Sequence, residues 1–177
     1  MSPSPATVAT VPTPAGPFTV VATQDADGRE VLLASGWTDE PERLLELVHK
    51  SLRPDAVRAG SPTALDAVEA YLAGDVTAID RVGVRQLSGP FLSGAWDVLR
   101  TVPAGHPDSY AGFATRCGRP AAIRAAAQAC ARNAAALFVP CHRVLGSDGG
   151  LGGFRWGTPV KRWLLDHEAA AVASSAA

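Results

Sequence analysis

The sequence predicts an α+β fold, with a small N-terminal α/β domain and a mainly helical C-terminal domain that contains a helix-turn-helix. The composition, 47% hydrophobic and 19% charged over 177 residues, is that of a globular protein long enough for two small domains. Short β-rich runs dominate the first half, whereas apolar residues at helical spacing dominate the second. The two halves also differ in the sign of their net charge.

The first half predicts a disordered lead followed by a compact α/β unit. Residues 1–13 are rich in Pro, Ser, Thr and Ala and lack the basic start and apolar run of a secretory signal, so we expect disorder there. The α/β domain is expected over residues 14–84. Its predicted elements are a hairpin of strands at 18–22 and 29–34 around a turn at 25–28, helices at 40–52 and 61–72 (the second capped by Ser61, with Pro62 in its first turn), and a short strand near 82–85.

The C-terminal domain is expected over residues 85–169, followed by a disordered Ala/Ser tail at 170–177. Apolar residues at spacings of three and four predict a helix over 88–101. Two shorter helices, at 109–117 and 120–132, are separated by a tight Gly-containing turn, which is the spacing of a helix-turn-helix. Helix pairs of this spacing also occur in proteins that do not bind DNA, so the spacing alone does not decide the function.

The distribution of charge indicates which half can face nucleic acid. Residues 1–80 hold 5 Lys+Arg and 12 Asp+Glu, a balance of −7, whereas residues 81–177 hold 11 Lys+Arg and 5 Asp+Glu, a balance of +6. The net charge of −1 argues against a nucleic-acid binder, but a basic second half is suited to phosphates. The alternative is that these basic residues only solvate a surface.

The cysteines, Cys117, Cys130 and Cys141, cannot all pair within one chain, and none lies in a CxxC pair. Reduced thiols in a cytoplasmic protein are the simplest account. No apolar stretch approaches the roughly 20 residues of a membrane span. His49 is the only histidine of the first half and has no cysteine near it in sequence. We therefore expect no membrane association, no metal and no cofactor.

The second helix of the predicted pair has an unusually small surface. From Arg124 it reads Arg-Ala-Ala-Ala-Gln-Ala-Cys-Ala. Small side chains let a helix approach another surface closely, with Arg124 projecting from its N-terminal half. The major groove usually receives larger polar side chains, so a nearly bare helix favours a widened minor groove. The alternative is an Ala-rich helix packed inside the protein.

Residues 139–144 read Val-Pro-Cys-His-Arg-Val and contain a candidate nucleophile, Cys141. A thiol reacts as the thiolate, and the adjacent His142 can take its proton directly or through one water. Because adjacent side chains often point apart, we favour the bridging water. Glu168 is a candidate for orienting the imidazole. On its own, the Cys-His pair also fits a buried cysteine beside a surface histidine.

The wider pattern resembles one protein family. Its ordered members are Ser109-Tyr110, Arg124, Asn133, Pro140-Cys141-His142-Arg143-Val144, Gly152-Gly153-Phe154, Lys161 before Leu164-Leu165, and Glu168. Over about residues 86–169 this set closely resembles the O6-alkylguanine-DNA alkyltransferases, also called methylated-DNA–protein-cysteine methyltransferases; over 14–80 the resemblance is weaker. It implies repair of double-stranded DNA by irreversible, stoichiometric transfer of an alkyl group, mainly methyl, from O6 of a flipped guanine to the protein's own cysteine. It also implies a monomer without a cofactor.

The resemblance implies a role for each catalytic candidate. Cys141 would accept the alkyl group, His142 would be its base through water, and Glu168 would hydrogen-bond behind His142. Asn133 would brace the turn that carries Cys141. Tyr110 would help to rotate the target phosphate and donate toward the departing base.

The resemblance also implies DNA and pocket contacts. Arg124 would enter the base stack through the minor groove and fill the gap left by the flipped guanine. The other candidates for DNA contact are Ser109, Tyr110, Ala125, Ala126 and Ala127. The candidates for the substrate pocket are Val139, Val144, Phe154, Arg155 and Trp156.

Three positions depart from the family pattern. Ala134 follows Asn133 where Asn-Pro is common, which softens that turn, and Phe154 stands where Tyr is frequent. Arg155-Trp156-Gly157 replaces a loop that often ends Gly-Gly. We hypothesise that Trp156 narrows the pocket mouth and favours methyl over benzyl-sized adducts. The alternative is that it packs outward against the last helix near Trp163.

Three other function classes fit parts of the pattern. A non-catalytic lesion sensor of this kind replaces the acceptor cysteine, whereas Cys141 is present. A helix-turn-helix regulator explains the basic half but not Pro-Cys-His-Arg together with Tyr110, Asn133 and Glu168. A Cys-His hydrolase needs machinery for turnover that the sequence lacks, and a DNA-facing helix disfavours it.

Overall fold

The computed structural model describes residues 5–177 and divides them into two compact units. The N-terminal unit comprises the residues up to Leu87 together with Ala134–Phe138, and the C-terminal unit comprises Ser88–Asn133 and Val139–Ala177. The division lies after Leu87 rather than after residue 84. The chain also leaves the C-terminal unit for five residues and returns to it just before Cys141, a path that no boundary drawn on the sequence can represent.

A four-stranded sheet of order β3-β2-β1-β4 forms the N-terminal unit. Its strands are β1 (Ala6–Thr13), β2 (Gly16–Gln24), β3 (Glu30–Gly36) and β4 (Val57–Ala59). The predicted hairpin is confirmed as β2 and β3, which pair antiparallel, and β1 pairs antiparallel with β2 and parallel with β4. The mixed α+β class of the chain is likewise confirmed.

The predicted disordered lead is corrected by β1. Residues 6–13 form this strand, while residues 1–4 lie outside the described part of the chain. The segment is rich in Thr and Val, which favour strands. Its backbone groups pair with β2 from Thr7 opposite Ala22 to Thr13 opposite Gly16. Composition alone missed the strand because its stability comes from a partner later in the sequence.

The helices of the N-terminal unit are shorter than predicted. They are α1 (Pro41–Leu45) and α2 (Ala64–Leu72), with a 3₁₀ turn at Ala78–Arg81. Ser61 does not cap α2. The Glu30 carboxylate does so instead, accepting hydrogen bonds from the backbone N–H groups of Thr63 (3.0 Å) and Ala64 (2.9 Å). The predicted strand near 82–85 is a single bridge between Val84 and Leu32.

The segment Ala134–Phe138 is fixed by backbone pairing within the N-terminal unit. Ser35 donates from its N–H to the Ala134 carbonyl (2.9 Å) and from its hydroxyl to the Ala136 carbonyl (2.7 Å). Leu137 has a φ of +77°, which is rare for a bulky residue. The segment is buried throughout, so packing and pairing hold this conformation. The chain therefore approaches Cys141 from an anchored stretch.

The C-terminal unit is mainly helical. Its elements are α3 (Pro90–Leu99), β5 (Asp108–Ser109), α4 (Tyr110–Arg116), α5 (Ile123–Ala131), a 3₁₀ turn at Cys141–Arg143, β6 (Val144–Leu145) and α6 (Thr158–Ser175). Helices α3 and α4 both pack against α5. Trp96 of α3 donates its indole N–H to the Ala129 carbonyl of α5 (2.9 Å). This bond ties α5 to the buried face of α3.

The predicted disordered tail is also corrected. Helix α6 continues to Ser175, through most of the segment 170–177. Alanine has the highest helix propensity, so an Ala-rich run after a packed helix extends it rather than fraying at once. Among the helices of residues 5–177, none has the length and apolar character needed to cross a membrane.

Candidate active site

Cys141 begins the tight turn Cys141–Arg143. The turn is closed by bonds from the Cys141 N–H to the Val139 carbonyl (2.8 Å) and from the Arg143 N–H to the Pro140 carbonyl (3.0 Å). The Cys141 residue is only 7% exposed. Cys141 therefore has little contact with solvent.

Asn133 holds this turn from the C-terminal side of α5. Its side-chain amide donates to the Val139 carbonyl (2.7 Å) and to Cys141 Sγ (3.3 Å). The Asn133 side chain is itself buried, so its orientation is fixed by these two acceptors. The predicted bracing of the turn thus has a direct geometric basis, with the addition of a donor on the sulfur.

Two kinds of influence act on the pKa of Cys141, in opposite directions. Burial raises the pKa of the thiol, because a thiolate loses its hydration there. The Asn133 donor and the positive charges of Lys161 and Arg155 act in the other direction without overcoming burial. The thiol is therefore protonated at neutral pH until a base removes its proton.

His142 and Glu168 form the predicted pair, fully buried. His142 Nε2 lies 2.8 Å from a carboxylate oxygen of Glu168 on α6. Burial would raise the pKa of Glu168, but His142 and Arg143 outweigh it and lower that pKa to about 2. An ionised Glu168 only accepts, so Nε2 carries the proton and Nδ1 is the basic nitrogen of the neutral ring. Nδ1 is buried and has no hydrogen-bond partner among the described residues.

Arg143 is a site residue whose role the sequence did not predict. Its guanidinium donates to both oxygens of Glu168, at 2.9–3.2 Å, and to the Val102 carbonyl (2.8 Å). It thereby keeps Glu168 ionised and fixed. The available signal was the position of Arg143 directly after His142, since a buried arginine needs a buried carboxylate such as Glu168 as its partner.

Tyr110 is placed by the short parallel pairing of β5 with β6, in which Ser109 lies opposite Leu145. Ser109 also caps α4, since its hydroxyl accepts from the Gly112 N–H (2.9 Å). Burial raises the pKa of Tyr110, and the nearby Cys130 and Cys141 raise it further. The phenol therefore stays protonated and can donate. Gly152 lies against it: a Cβ there would be 3.5 Å from the Tyr110 hydroxyl.

The loop of residues 151–157, which we call the pocket loop, contains three of the predicted pocket residues. Lys161 anchors its start by donating to the carbonyls of Leu151 (2.6 Å) and Val144 (2.7 Å). Lys161 is buried, which lowers its pKa, and lies 6.0 Å from the Phe154 ring centre. Its spacing with Leu164 and Glu168 on one face of α6 was the signal that it points inward.

The remaining pocket candidates lie in different surroundings. Val139 and Val144 are buried, and their carbonyls accept from Asn133 and Lys161, respectively. Trp156 is half-buried. Arg155 is exposed and donates to the Ala131 carbonyl at the end of α5 (2.7 Å).

Helix α5 presents part of its predicted small surface. Arg124 is exposed, whereas Ala125 and Ala127 are both half-buried. Ala126 is fully buried, so its expected contact with DNA is corrected: consecutive helical residues are turned by about 100°, and three in a row cannot share one face. Ile123, at the start of α5, is 43% exposed and was missed.

The segment that contains α4, α5 and Cys141 carries positively charged side chains and no acidic ones. Residues 110–147 contain arginines as their only charged side chains apart from His142. Within residues 5–177, no group of three or more His, Cys, Asp or Glu side chains is arranged to hold a metal ion. The site therefore offers a buried thiol, a buried base with its carboxylate, a phenol donor and an adjoining cationic helix.

The sequence matches one family model and is similar to known proteins along most of its length. Residues 90–170 match the family described as 6-O-methylguanine DNA methyltransferase, DNA binding domain. A methylated-DNA–protein-cysteine methyltransferase of Shigella flexneri is 35% identical over 162 residues, covering 89% of this chain and 92% of that protein. A constitutive one from Bacillus subtilis is 32% identical over 160 residues, covering 90% and 93%.

Solved structures agree with these sequence relatives. A variant of the Mycobacterium tuberculosis O6-methylguanine methyltransferase superimposes with a TM-score of 0.76 at 30% identity, covering 94% of both chains. The M. tuberculosis protein OGT in complex with DNA gives a TM-score of 0.74 at 30% identity, covering 93% of this chain and 94% of that one.

Proposed function

Since the chain belongs to the methylated-DNA–protein-cysteine methyltransferases, and so repairs DNA by direct transfer of an alkyl group, we propose that Cys141 is the acceptor and O6-alkylguanine the lesion. The observation that carries the assignment is the buried Cys141 thiol beside the His142–Glu168 pair, with Asn133 donating to the sulfur. Cys117 and Cys130 are only half-buried; Cys130 lies on α5, and Cys117 directly follows α4. The acceptor is thus chosen by its surroundings.

The proton of the thiol passes to His142 in the proposed reaction. Its Nδ1 is the basic nitrogen, is buried and has no partner among the described residues, which suits a bridging water between Nδ1 and Sγ. The ion pair with Glu168 stabilises the imidazolium that results. Arg143 holds Glu168 in place, so the carboxylate assists without itself taking the proton.

The thiolate then attacks the alkyl carbon in line with its bond to O6. The S–C bond forms, the C–O6 bond breaks with its electron pair going to guanine, and guanine takes up one proton. Tyr110 is the proposed donor, because burial keeps its phenol protonated. The product is a thioether, which no group of the site can hydrolyse, so each molecule acts once and irreversibly.

Access to O6 requires base flipping in double-stranded DNA. O6 lies on the pairing edge of the base, and a thiol that is 7% exposed cannot reach it within a duplex. The flipped guanine would enter beside the pocket loop, with Phe154 covering its ring and the segments of Val139 and Val144 lining its edge. Both valines are buried, and both are close to Cys141 in sequence, which supports this placement.

The proposed DNA-binding element is the helix-turn-helix of α4 and α5, seated in the minor groove. Arg124 would fill the space of the flipped base, and the absence of Asp and Glu over residues 110–147 suits close approach to phosphates. Ala127 provides a small surface behind it. Ile123, exposed beside Arg124, is suited to a second wedge, since minor-groove proteins insert apolar side chains between base steps.

Three coarser properties accompany this proposal. We propose that the chain acts as a monomer, because one C-terminal unit contains all the groups named above. The reaction balances without a cofactor, because the alkyl group, the acceptor and the proton are all supplied by DNA and protein. The cytoplasmic location suggested by three free thiols stays a prediction.

The direct test replaces the proposed acceptor. Cys141→Ala should lose transfer from duplex DNA containing O6-methylguanine while keeping its affinity for that duplex. Cys117→Ser, which changes a half-buried thiol outside the site, should transfer the methyl group and bind the duplex as wild type does. Wild-type repair by the Cys141→Ala variant would reject Cys141 as the acceptor. Binding of the lesion by the wild-type protein without any transfer would instead favour the sensor class.

A further inference from the structure

The pocket loop is tied to α6 at its start and contains a closed turn at its end. At its start, the Leu151 carbonyl accepts from Lys161 of α6. At its end, the Gly157 N–H donates to the Phe154 carbonyl (3.0 Å) and closes a turn whose two central residues are Arg155 and Trp156. This bond fixes Phe154, Arg155 and Trp156 relative to one another within the turn. Whatever holds Arg155 therefore also sets the position of both pocket aromatics.

Arg155 is held by α5, the helix proposed to enter DNA. Its guanidinium donates to the Ala131 carbonyl (2.7 Å), and Ala131 is the last residue of α5. The last carbonyls of a helix lack partners within the helix and carry partial negative charge, so a cation there is favourable. The pocket loop is thus connected to α5 by one charge-assisted hydrogen bond that joins residues 24 apart in sequence.

This bond is exposed, and its strength depends on what covers it. In water, both partners are solvated and the bond contributes little. Ala131 lies one helical turn after Ala127, on the same face of α5, and Ala127 is one of the residues proposed to face DNA. Where DNA excludes water from this face, the local dielectric constant falls and the same bond becomes stronger. Binding of DNA then favours the loop position in which Arg155 reaches Ala131.

We propose that Arg155 is a positioning residue that couples the seating of α5 on DNA to the closure of the pocket loop over the flipped base. The proposal rests on the proposed function, because it assigns the loop to the base pocket. It predicts that DNA without a lesion makes the pocket more reactive. A free O6-methylguanine base should therefore alkylate Cys141 faster when an undamaged duplex occupies α5.

The experiment measures the ratio of the Cys141 methylation rates by free O6-methylguanine with and without a saturating undamaged duplex. Arg155 also lowers the pKa of Cys141 through its charge, and this effect is present in both rates, so the ratio largely removes it. Wild type should show acceleration. In Arg155→Ala the acceleration should be about 3- to 10-fold smaller, as expected for the loss of one hydrogen bond of this kind. Arg155→Lys, which keeps the charge and a hydrogen-bond donor, should recover part of it.

The matched control is Arg162→Ala. It removes an exposed arginine of α6 whose ion pair with Asp166 is long, at 4.0 Å, and should keep the wild-type acceleration. Full acceleration in Arg155→Ala, or none in wild type, would overturn the coupling. So would an Arg155→Ala protein that binds duplex more weakly, with a salt slope reduced by about one, yet keeps the acceleration, because Arg155 would then only contact a phosphate.

The two proposals fail in different ways. If wild type takes no methyl group from O6-methylguanine in duplex DNA, the proposed function is wrong whatever the ratio. If it does so, and Arg155→Ala is accelerated as wild type is, only the coupling is wrong.

Discussion

At the scale of single residues, the chemistry depends on a buried thiol whose pKa is raised by burial and lowered by its neighbours. Burial raises the pKa of Cys141, while Asn133, Lys161 and Arg155 favour its ionised form. Asn133 is distinctive among them because the same amide also holds the Val139 carbonyl (2.7 Å) and thus the turn. The position of the sulfur and its ionisation therefore depend on one side chain.

Asn133→Ala should show this dependence in the pH profile of methyl transfer. Since the pKa of Cys141 is raised, the wild-type rate should rise with pH above neutrality. Removing the Asn133 donor raises the pKa further, so the profile should move to higher pH. The rate at pH 7 should fall about 10- to 100-fold, because a hydrogen bond to a charged group contributes about 1.5–3 kcal/mol. Transfer rates measured across neutral and alkaline pH check this, with Cys117→Ser as control.

A profile that keeps its midpoint in Asn133→Ala would contradict the account. A slower rate at every pH, without a shift, would mean that Asn133 only shapes the turn and does not affect the ionisation of the sulfur.

At the scale of elements, α5 and the pocket loop have different roles in presenting the base to Cys141. Helix α5 offers Arg124 and Ile123 at its start and small side chains behind them, while the loop carries Phe154 and Trp156. Their functions are separable by substrate. A free base needs the loop but no flipping, whereas a base in duplex DNA needs both.

Arg124→Ala should slow transfer from duplex DNA by about tenfold or more and leave transfer from the free base unchanged. The physical reason is that Arg124 compensates the unstacking that flipping costs, a few kcal/mol, and a free base has no stack to leave. Rates with both substrates, beside Arg162→Ala, check this. An equal loss with both substrates would show that Arg124 acts on the pocket.

Trp156→Gly should widen the range of accepted groups if Trp156 narrows the pocket mouth. We expect faster reaction with O6-benzylguanine and little change with O6-methylguanine, since only the larger adduct needs the space. Competition between the two free bases gives the ratio in one assay. An unchanged ratio would favour the alternative, that Trp156 packs outward.

The elements also show where sequence reasoning succeeds and where it stops. The Cys141, His142 and Glu168 set follows from a motif and from the family resemblance that this motif carries, and the hairpin of β2 and β3 follows from a local turn. The cap of α2 does not, because Glu30 lies 33 residues before Thr63. The roles of Lys161 and Arg143 do not either, because their partners are identified only once the chain has folded.

The one error on α5 has a simpler cause. Ala126 was assigned to the DNA-facing surface with both of its neighbours, although three adjacent residues of a helix point in three directions. The sequence pattern already contained this information, since the helical repeat places Ala126 about 200° around the helix from Arg124.

At the scale of the whole molecule, the chain connects two units through a short return. Residues 134–138 belong to the N-terminal unit, and the residues on both sides of them, Asn133 and Val139, belong to the C-terminal unit. The C-terminal unit is held internally by the buried cluster of Glu168, His142 and Arg143. This cluster joins α6 to the turn of Cys141, so its ionisation affects stability as well as chemistry.

Glu168→Gln should lower the free energy of unfolding by about 3–5 kcal/mol at pH 7, since it leaves a buried Arg143 without its charge partner. The pKa of Glu168 is lowered from 4.5 to about 2, so the ionised carboxylate stabilises the fold fully above pH 4.5. That contribution is lost as the pH falls toward 2. The difference between wild type and Glu168→Gln should therefore shrink over this range.

Urea unfolding at several pH values measures that difference. Asp166→Asn, an exposed carboxylate on the same helix, is the control and should change stability little at any pH. A difference that stays constant as the pH falls from neutrality toward 2 would mean that Glu168 is not held ionised by His142 and Arg143.

The central claim is that one methyl group moves from guanine in DNA to Cys141 and stays there. Intact-protein mass spectrometry, followed by peptide mapping, tests it most directly after incubation with a duplex containing O6-methylguanine. We predict a gain of one methylene in mass, confined to Cys141, in the same molar amount as the guanine restored, and no further repair by the modified protein. Tight binding of the lesion without a gain in mass, or a methyl group on another residue, would contradict the account.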